Sequence, residues 1–436
     1  MKITFICGVF PPEPAPSGVM ATQLGKRLAD DGHDVTIITG FPNRPAGILY
    51  PDYRMKLWSK IRTAEGYTVI RCASWFIGKK RRVLRRILEN ISFGISSACA
   101  VWLTGRPDVL IIESWPFFAT QIPASLATFW ATPFLYYVKD VYPESAEVAG
   151  ILSADGILSR LLRIWDRHLC RRSYRVVVIS NSMRDLLVAG RNLPLDRFVV
   201  IPDWLDTASF PVWRGNNAWR ISNGIDPSSC LALFAGTLGH ISGADVLVKV
   251  AQLLRQENAV IVCVGDGVLK QSMTIEADRL CLENIRFLPF QPGERVPEIQ
   301  GAADVALLTM RPNASDASVP SKLISYFAAA KAVICAANPN SAVAHAVSEA
   351  NAGVVVPPGD PRAIADAVLR LARCPDLARE FGQNGRSYFE RHYTLDRAHI
   401  QFREILVELE DRTSLAQRAS KSMGLLAPRI GIPKGD

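Results

Sequence analysis

At 436 residues the chain is longer than one ordinary domain, and 49% hydrophobic against 21% charged residues allows large cores and excludes global disorder. Its 50 Lys and Arg against 41 Asp and Glu leave a formal charge of +9, which suits a polyphosphate, a membrane surface or nucleic acid without choosing among them. The excess is local: residues 1–210 hold 26 cations and 18 acids, and the remainder holds 24 and 23.

The first elements read as a strand at 3–7, a Pro/Gly loop at 10–18, a helix at 19–31 and a strand at 34–39. Met20, Leu24 and Leu28 form the apolar stripe of that helix, and Gly32 ends it. Such a β-α-β unit predicts a parallel sheet. Further strands are predicted at 69–72, 109–113, 134–138, 176–180 and 198–201. The stretch from Ser114 to Val138 carries no charge, but Pro116, Pro123 and Pro133 divide it. It reads as a buried helix followed by a buried strand, not as a membrane span.

After an irregular polar stretch at 206–229, a second series of strands is predicted at 231–235, 260–264, 285–288, 305–309, 332–335 and 353–356. Helices are predicted between them at 244–256, 269–280, 320–330, 342–349 and 361–373. The fold class is therefore α/β, two doubly wound domains joined near 202–215, with their loops facing a cleft. The tail from Ser414 reads as frayed. Nine cysteines, none in a C-x-x-C pair, read as reduced thiols of a cytoplasmic protein, and the chain opens directly on a strand rather than a signal peptide.

Five loops after strands are candidates for chemistry. Gly18 opens the first helix, where free amides meet an anion. The loop "FAGTLGHISG" at 234–243 places Gly236 and Thr237 before another helix, in neither a dinucleotide-binding nor a P-loop pattern. "VGDG" at 264–267 brings Asp266 and Gly267 beside Lys270, a cation in a first helical turn, which hints at an anionic partner. Pro320, Ser321 and Lys322 open a helix with unpaired amides and an ammonium, a cradle for a diphosphate. Lys139 and Asp140 end an apolar strand, where Asp140 can equally cap the next helix.

In order and spacing these segments resemble the family 4 retaining glycosyltransferases, which have the GT-B architecture of two Rossmann-like domains. The likeness runs through "FPPE" with Gly18, "LADDGHDVTIIT" at 28–39, "VKDVYPES" at 138–145, "VVVISNSM" at 176–183 and "VIPDWLDTASF" at 200–210. It continues through "FAGTLG", "VGDG", "AADVALL", "PSKLISYFAAAKAV" and "GVVVPPGDP". The style is that of bacterial surface polysaccharide assembly, such as the colanic acid type.

The resemblance implies a hexosyltransferase-type enzyme moving a sugar with retention from a nucleotide diphosphate sugar to a polysaccharide or lipid-linked acceptor. It assigns 1–205 to the acceptor, 206–390 to the donor, and 391–436 to a C-terminal helix and flexible tail, the helix a candidate to pack back on the first domain. Donor contacts are implied for Gly18, Gly236, Thr237, Asp266, Gly267, Lys270, Phe290, Pro320, Ser321, Lys322 and Ser325. Lys139, Asp140 and Lys322 are the implied catalytic groups. The chain departs from the family where a ribose-holding Glu is usual, having Ser325, and at the partner position eight residues earlier, having Ala317 beside Asp316. Lys139 replaces a frequent His, and Thr237 and Ser242 stand where Arg and Lys are common. No D-x-D pattern occurs, so neither cofactor nor metal is expected. A nucleotide-sugar epimerase and a non-catalytic nucleotide-sugar-binding protein remain as alternatives.

Nucleic acid is not an expected partner, because no helix-turn-helix, RNP or zinc pattern occurs. The basic run Lys79, Lys80, Arg81, Arg82, Arg85 and Arg86, followed by an apolar stretch, suits docking on the anionic inner face of the cytoplasmic membrane. A second basic and apolar segment, 160–175, is read either as docking or as a solvated helix face.

Overall fold

The computed structural model describes residues 1–44, 47–75, 82–148, 150–212, 218–312 and 321–424. It contains two sheets. The first runs through β1 (Lys2–Ile6), β2 (Asp34–Gly40), β3 (Trp58–Arg62), β4 (Thr68–Cys72), β5 (Val109–Glu113), β6 (Phe134–Val138), β7 (Arg175–Val178) and β8 (Phe198–Val200). Its spatial order is β3-β4-β2-β1-β5-β6-β7-β8, parallel except for the antiparallel β3–β4 edge. The second comprises β9 (Cys230–Ala235), β10 (Ala259–Val264), β11 (Ile285–Leu288), β12 (Val305–Thr309), β13 (Ala332–Ala336) and β14 (Gly353–Val356). It is ordered β11-β10-β9-β12-β13-β14, all parallel.

Helices connect successive parallel strands on both faces of each sheet. Strands covered on both sides must be apolar throughout, and β5, β6, β12 and β13 are buried at every position. In both sheets the order reverses beside the first strand, β1 against β5 and β9 against β12. Loops at such a reversal splay apart and leave a crevice at the carboxyl ends.

Three features were not foreseen. The edge strand β3 alternates poorly and is mostly exposed, so its sequence carries little strand signal. A helix at Pro375–His392 packs under the Ser321–Ala328 helix. The last helix, Leu395–Gly424, continues through Ser414, correcting the frayed reading there; residues 415–424 contain no Pro and only a final Gly, so nothing stops the helix earlier.

That last helix belongs to the first core. Leu395, Ala398, Phe402, Ile405, Leu406 and Leu409 are buried with the β1–β8 side chains, and Phe402 meets Tyr137 and Trp204 edge to face. Arg27–Asp396 and His399–Asp31 contacts pin the same helix to the first one, Pro16–Asp30. Where the chain crosses to the second sheet, Leu205 pairs with Thr394 in a lone parallel bridge.

A buried ionic network ties the "YPES" segment to the helix Asn181–Arg191. Arg191, 1% exposed, donates to Asp166 at 2.7 Å and to both Glu144 carboxylate oxygens at 2.8 Å. Tyr136 donates to Asp166 at 3.0 Å, and Arg163 holds Glu144 and Glu147. Burial alone would raise Glu144, but Arg191 and Arg163 hold its carboxyl below the ordinary value.

Candidate active site

Among the described residues, the loops singled out from the sequence lie at the carboxyl ends of strands. In the second sheet Gly265 of the "VGDG" loop backs Gly236, and Gly236 in turn meets Lys322. This residue stands in the first turn of the Ser321–Ala328 helix, and Tyr326, one turn later, fixes that helix. The Tyr326 hydroxyl accepts from the Ala235 N–H at 2.9 Å and donates to the Leu307 carbonyl at 3.3 Å, so the helix is anchored to the ends of β9 and β12. The Lys322 ammonium consequently sits 3.9 Å from the centre of the Phe234 ring, against Gly236. Among the described residues it has no carboxylate and no hydrogen-bond partner. Burial pushes its ammonium down to about 8, with only the Cys263 thiol opposing. A buried cation with only a ring face beside it is unsatisfied, and an incoming anion relieves it.

The glycines around it serve packing as much as ligand access. Gly236, Gly265 and Gly267 have φ of 136°, 146° and 154°, a region side chains avoid. A methyl group on Gly265 would collide with the Gly236 carbonyl, one on Gly267 with the Leu238 carbonyl, and one on Gly236 with the Lys322 stem. The Gly236 N–H is already given to the Val264 carbonyl at 2.8 Å, so it cannot also hold a phosphate. We expect Gly265→Ala to weaken nucleotide binding at least tenfold and to cost about 2–4 kcal/mol of stability, read by calorimetry and urea unfolding.

The other residues expected to meet a donor divide. Thr237 and Asp266 are exposed, the Asp266 carboxylate accepting from the Gly267 N–H at 2.8 Å. The Lys270 ammonium is committed to the carbonyls of Gly265 (3.1 Å) and Leu288 (3.3 Å), so it braces the loops where the sequence suggested a free phosphate ligand. Phe290, 62% exposed beyond β11, offers an open ring face. Ser321 is exposed and Ser325 half-buried; Pro320, with Asp316 and Ala317, lies outside the described residues. Gly18 is buried against the backbone of Phe10, which a side chain there would crowd.

On the first sheet Lys139 pairs with Asp203 at 2.5 Å, a residue from the loop after β8. Its ammonium also lies 4.4 Å from the Tyr137 ring and 5.4 Å from Trp204. Burial opposes this charge, yet Asp203, Tyr137 and Glu113 more than offset it, holding the ammonium above its ordinary range. Glu113, from the end of β5, is buried beside them. Burial pushes its carboxyl up to about 8, Lys139 pulls down and Asp203 pushes up. Asp140 is half-buried next to Lys139. Lys139 and Lys322 are thus different cations, one neutralised by a carboxylate and the other waiting.

Sequence reasoning missed Asp203, Glu113, Tyr326 and Phe234 as members of these clusters. The Asp203 signal was present in "VIPDW", but its pairing with Lys139 spans 64 positions and is set by the sheet. Lys79, Lys80 and Arg81 lie outside the described residues. Arg82, Arg85 and Arg86 fall in the first turns of the Arg82–Thr104 helix.

This architecture is a two-sheet α/β transferase of the GT-B class. The Glycosyl transferase 4-like domain model matches residues 17–204, and the Glycosyl transferases group 1 model matches residues 216–388. The chain belongs to these group 1, family 4-like glycosyltransferases and is a transferase enzyme. It is 25% identical to a putative colanic acid biosynthesis glycosyl transferase, WcaI, of Escherichia coli over 75% of this chain and 81% of that one. It is 26% identical to a probable glycosyltransferase, WbjE, of Pseudomonas aeruginosa over 67% and 71%. Similar solved structures are a sucrose-phosphate synthase of Thermosynechococcus elongatus (TM-score 0.75, 16% identity, 94% of this chain, 100% of that one) and Anabaena HepE in complex with UDP (0.67, 14%, 94%, 100%). WaaG, a glycosyltransferase involved in lipopolysaccharide biosynthesis, gives 0.63 at 15% identity over 91% and 98%. These likenesses show the fold.

Proposed function

We propose that this glycosyltransferase moves a sugar, with retention, from a nucleotide diphosphate sugar to a lipid-linked or oligosaccharide acceptor in bacterial surface polysaccharide assembly. The observation that carries it is the Lys322 ammonium at a helix start, desolvated and without a carboxylate partner among the described residues. As the bond from sugar to diphosphate breaks, negative charge gathers on the leaving phosphate. A cation fixed beforehand in a poorly solvated site stabilises that charge without reorganising. HepE, whose structure holds UDP, and the polysaccharide relatives support this choice of substrates.

In this reading residues 206–390 hold the donor, with Phe290 against the base, and residues 1–205 hold the acceptor beside Lys139 and Asp140. The Lys139–Asp203 pair adds little net field, so its part is to orient, leaving Lys322 as the main electrostatic group.

The protein works at the anionic cytoplasmic face of the inner membrane. The Arg82–Thr104 helix includes one segment, Ile87–Thr104, long and apolar enough by length and composition to cross a membrane. It packs along the Phe117–Phe129 helix while exposing Ile91, Ile95, Trp102 and Leu103. The Ile157–Arg172 helix exposes Ile157, Leu161, Ile164 and Trp165 alongside Arg160 and Arg171. Apolar side chains rimmed by cations suit a bilayer surface.

The test is nucleotide release from UDP-, GDP- and dTDP-sugars with and without lipid-linked acceptor, with the anomer of the product read by NMR. Release that requires acceptor and yields the donor's anomeric configuration is expected. Acceptor-independent conversion of the sugar would indicate an epimerase, and an inverted product would end the retention proposal. In flotation we expect binding to vesicles with 30% anionic lipid and at least fivefold less after Lys79, Lys80, Arg81, Arg82, Arg85 and Arg86 are changed to Gln. Equal flotation on neutral vesicles would remove the membrane partner.

A further inference from the structure

We propose that the cavity between the Phe117–Phe129 and Ile157–Arg172 helices binds an anionic sugar residue, its carboxylate on Arg172 and its ring against Phe129. The cavity measures about 240 Å³. Ser125, Thr128 and Phe129 line it from one helix and His168 and Arg172 from the other, over a floor that includes Phe134. Phe134 begins β6, whereas Lys139 follows the far end of the same strand, ~15 Å away. The cavity is therefore separate from the loops that face the transfer chemistry.

Its lining selects the ligand. Neither Arg172 nor His168 has a hydrogen bond or ion pair among the described residues, and no described Asp or Glu lines the cavity. A guanidinium in that state presents a planar fork of N–H groups, the shape that a carboxylate meets with both oxygens. The two hydroxyls ask for the opposite partner. Ser125 donates its proton to the Gln121 carbonyl at 2.8 Å, and Thr128 donates its own to the Ala124 carbonyl at 2.9 Å. Both oxygens can then only accept. The phosphodiester of a lipid headgroup would meet them with more acceptors, whereas a sugar brings hydroxyl donors. Phe129, 78% exposed at the lip, offers the flat apolar surface on which the C–H face of a pyranose ring rests.

One residue of an acidic glycan meets all three demands together: a carboxylate for the guanidinium, donors for the hydroxyls and an apolar face for the ring. A polymer held here is tethered at a second point, which raises its effective concentration at the enzyme. That use rests on the glycan acceptor proposed above, while the binding itself does not.

The experiment is saturation-transfer NMR on the full chain with methyl glucuronide, methyl glucoside and sn-glycerol 3-phosphate, each titrated for its dissociation constant. Wild type is expected to favour the glucuronide over both others by about tenfold, the scale of one charge-assisted bidentate contact. Arg172→Gln should bring the glucuronide and glucoside within about twofold of each other, and Phe129→Ala should weaken both. Arg171→Gln, which removes an exposed cation of the same helix outside the cavity lining, should leave the preference intact. All three substituted side chains are exposed, so the variants should fold, which circular dichroism checks. Equal binding of glucuronide and glucoside by wild type, or equal effects of Arg172→Gln and Arg171→Gln, overturns the proposal. Tighter binding of glycerol phosphate than of glucuronide would make this a lipid-headgroup site and overturns it as well. Acceptor-dependent nucleotide release without glucuronide binding overturns this site alone, whereas glucuronide binding in a protein that releases nucleotide to no acceptor overturns the acceptor reading and leaves the site standing.

Discussion

Replacing Lys322 with methionine is expected to give a protein that is harder to unfold and almost inactive. The ammonium is held at about 8 against an ordinary 10.5 by burial, and among the described residues it has no anion beside it. Its charged form is therefore less favourable in the folded chain than in the unfolded one. For a base with a lowered folded value, this penalty is full below pH ~8 and fades between there and the unfolded value near 10.5. Methionine fills the same space over Phe234 without charge, so the free protein should gain about 1–3 kcal/mol at pH 7 by urea unfolding. Turnover should fall about 10²–10³-fold, the usual loss when a preorganised group at a developing charge is removed. The wild type adds a pH signature. Nucleoside diphosphate affinity should be flat below pH 8 and weaken up to tenfold per unit above it, a slope absent from Lys322→Met. A variant that is less stable, or that retains full activity, would remove Lys322 from the donor site.

The second large effect lies far from chemistry. Arg191→Met should destabilise the first sheet's domain by about 3–5 kcal/mol, because Asp166 would be left buried and negative and the half-buried Glu144 would keep only Arg163. Adding Asp166→Asn and Glu144→Gln should return part of that loss, since neutral partners need no guanidinium. Denaturant midpoints of the single and triple variants measure this, and no recovery in the triple variant would refute the charge explanation. The same network makes the wild type sensitive to acid. Glu144, held low by Arg191 and Arg163, contributes stability above its unfolded value that is lost as pH falls through its folded one.

Both results show where sequence and structure part company. Strand positions were legible because covered parallel strands must be apolar at successive positions, and β5 or β13 leave little else to read. Lys322 stood out in the sequence because serine and lysine after a proline open a helix with free amides beside an ammonium, and its donor role is the proposal made above. Lys270 looked equivalent by the same logic, but the carbonyls that capture it come from residues 265 and 288, and only the register of β10 against β11 brings them together. Glu144 appeared in a motif that suggested catalysis, and its work is to hold Arg191. Asp203 lies in the motif "VIPDW", but that motif does not say that Lys139 lies opposite, and periodicity contains no information about that.

The return of the Leu395–Gly424 helix to the first core has a consequence for synthesis. Phe402, which meets Tyr137 and Trp204, and the buried Ile405 and Leu406 are supplied by the ribosome only after every strand of the second sheet. The second sheet can close as soon as its own strands emerge. The first, although made earlier, waits with an apolar face open to solvent until the second has been made. Order of manufacture and order of completion are therefore reversed, and the earlier-made half is the one that needs protection from aggregation during biogenesis.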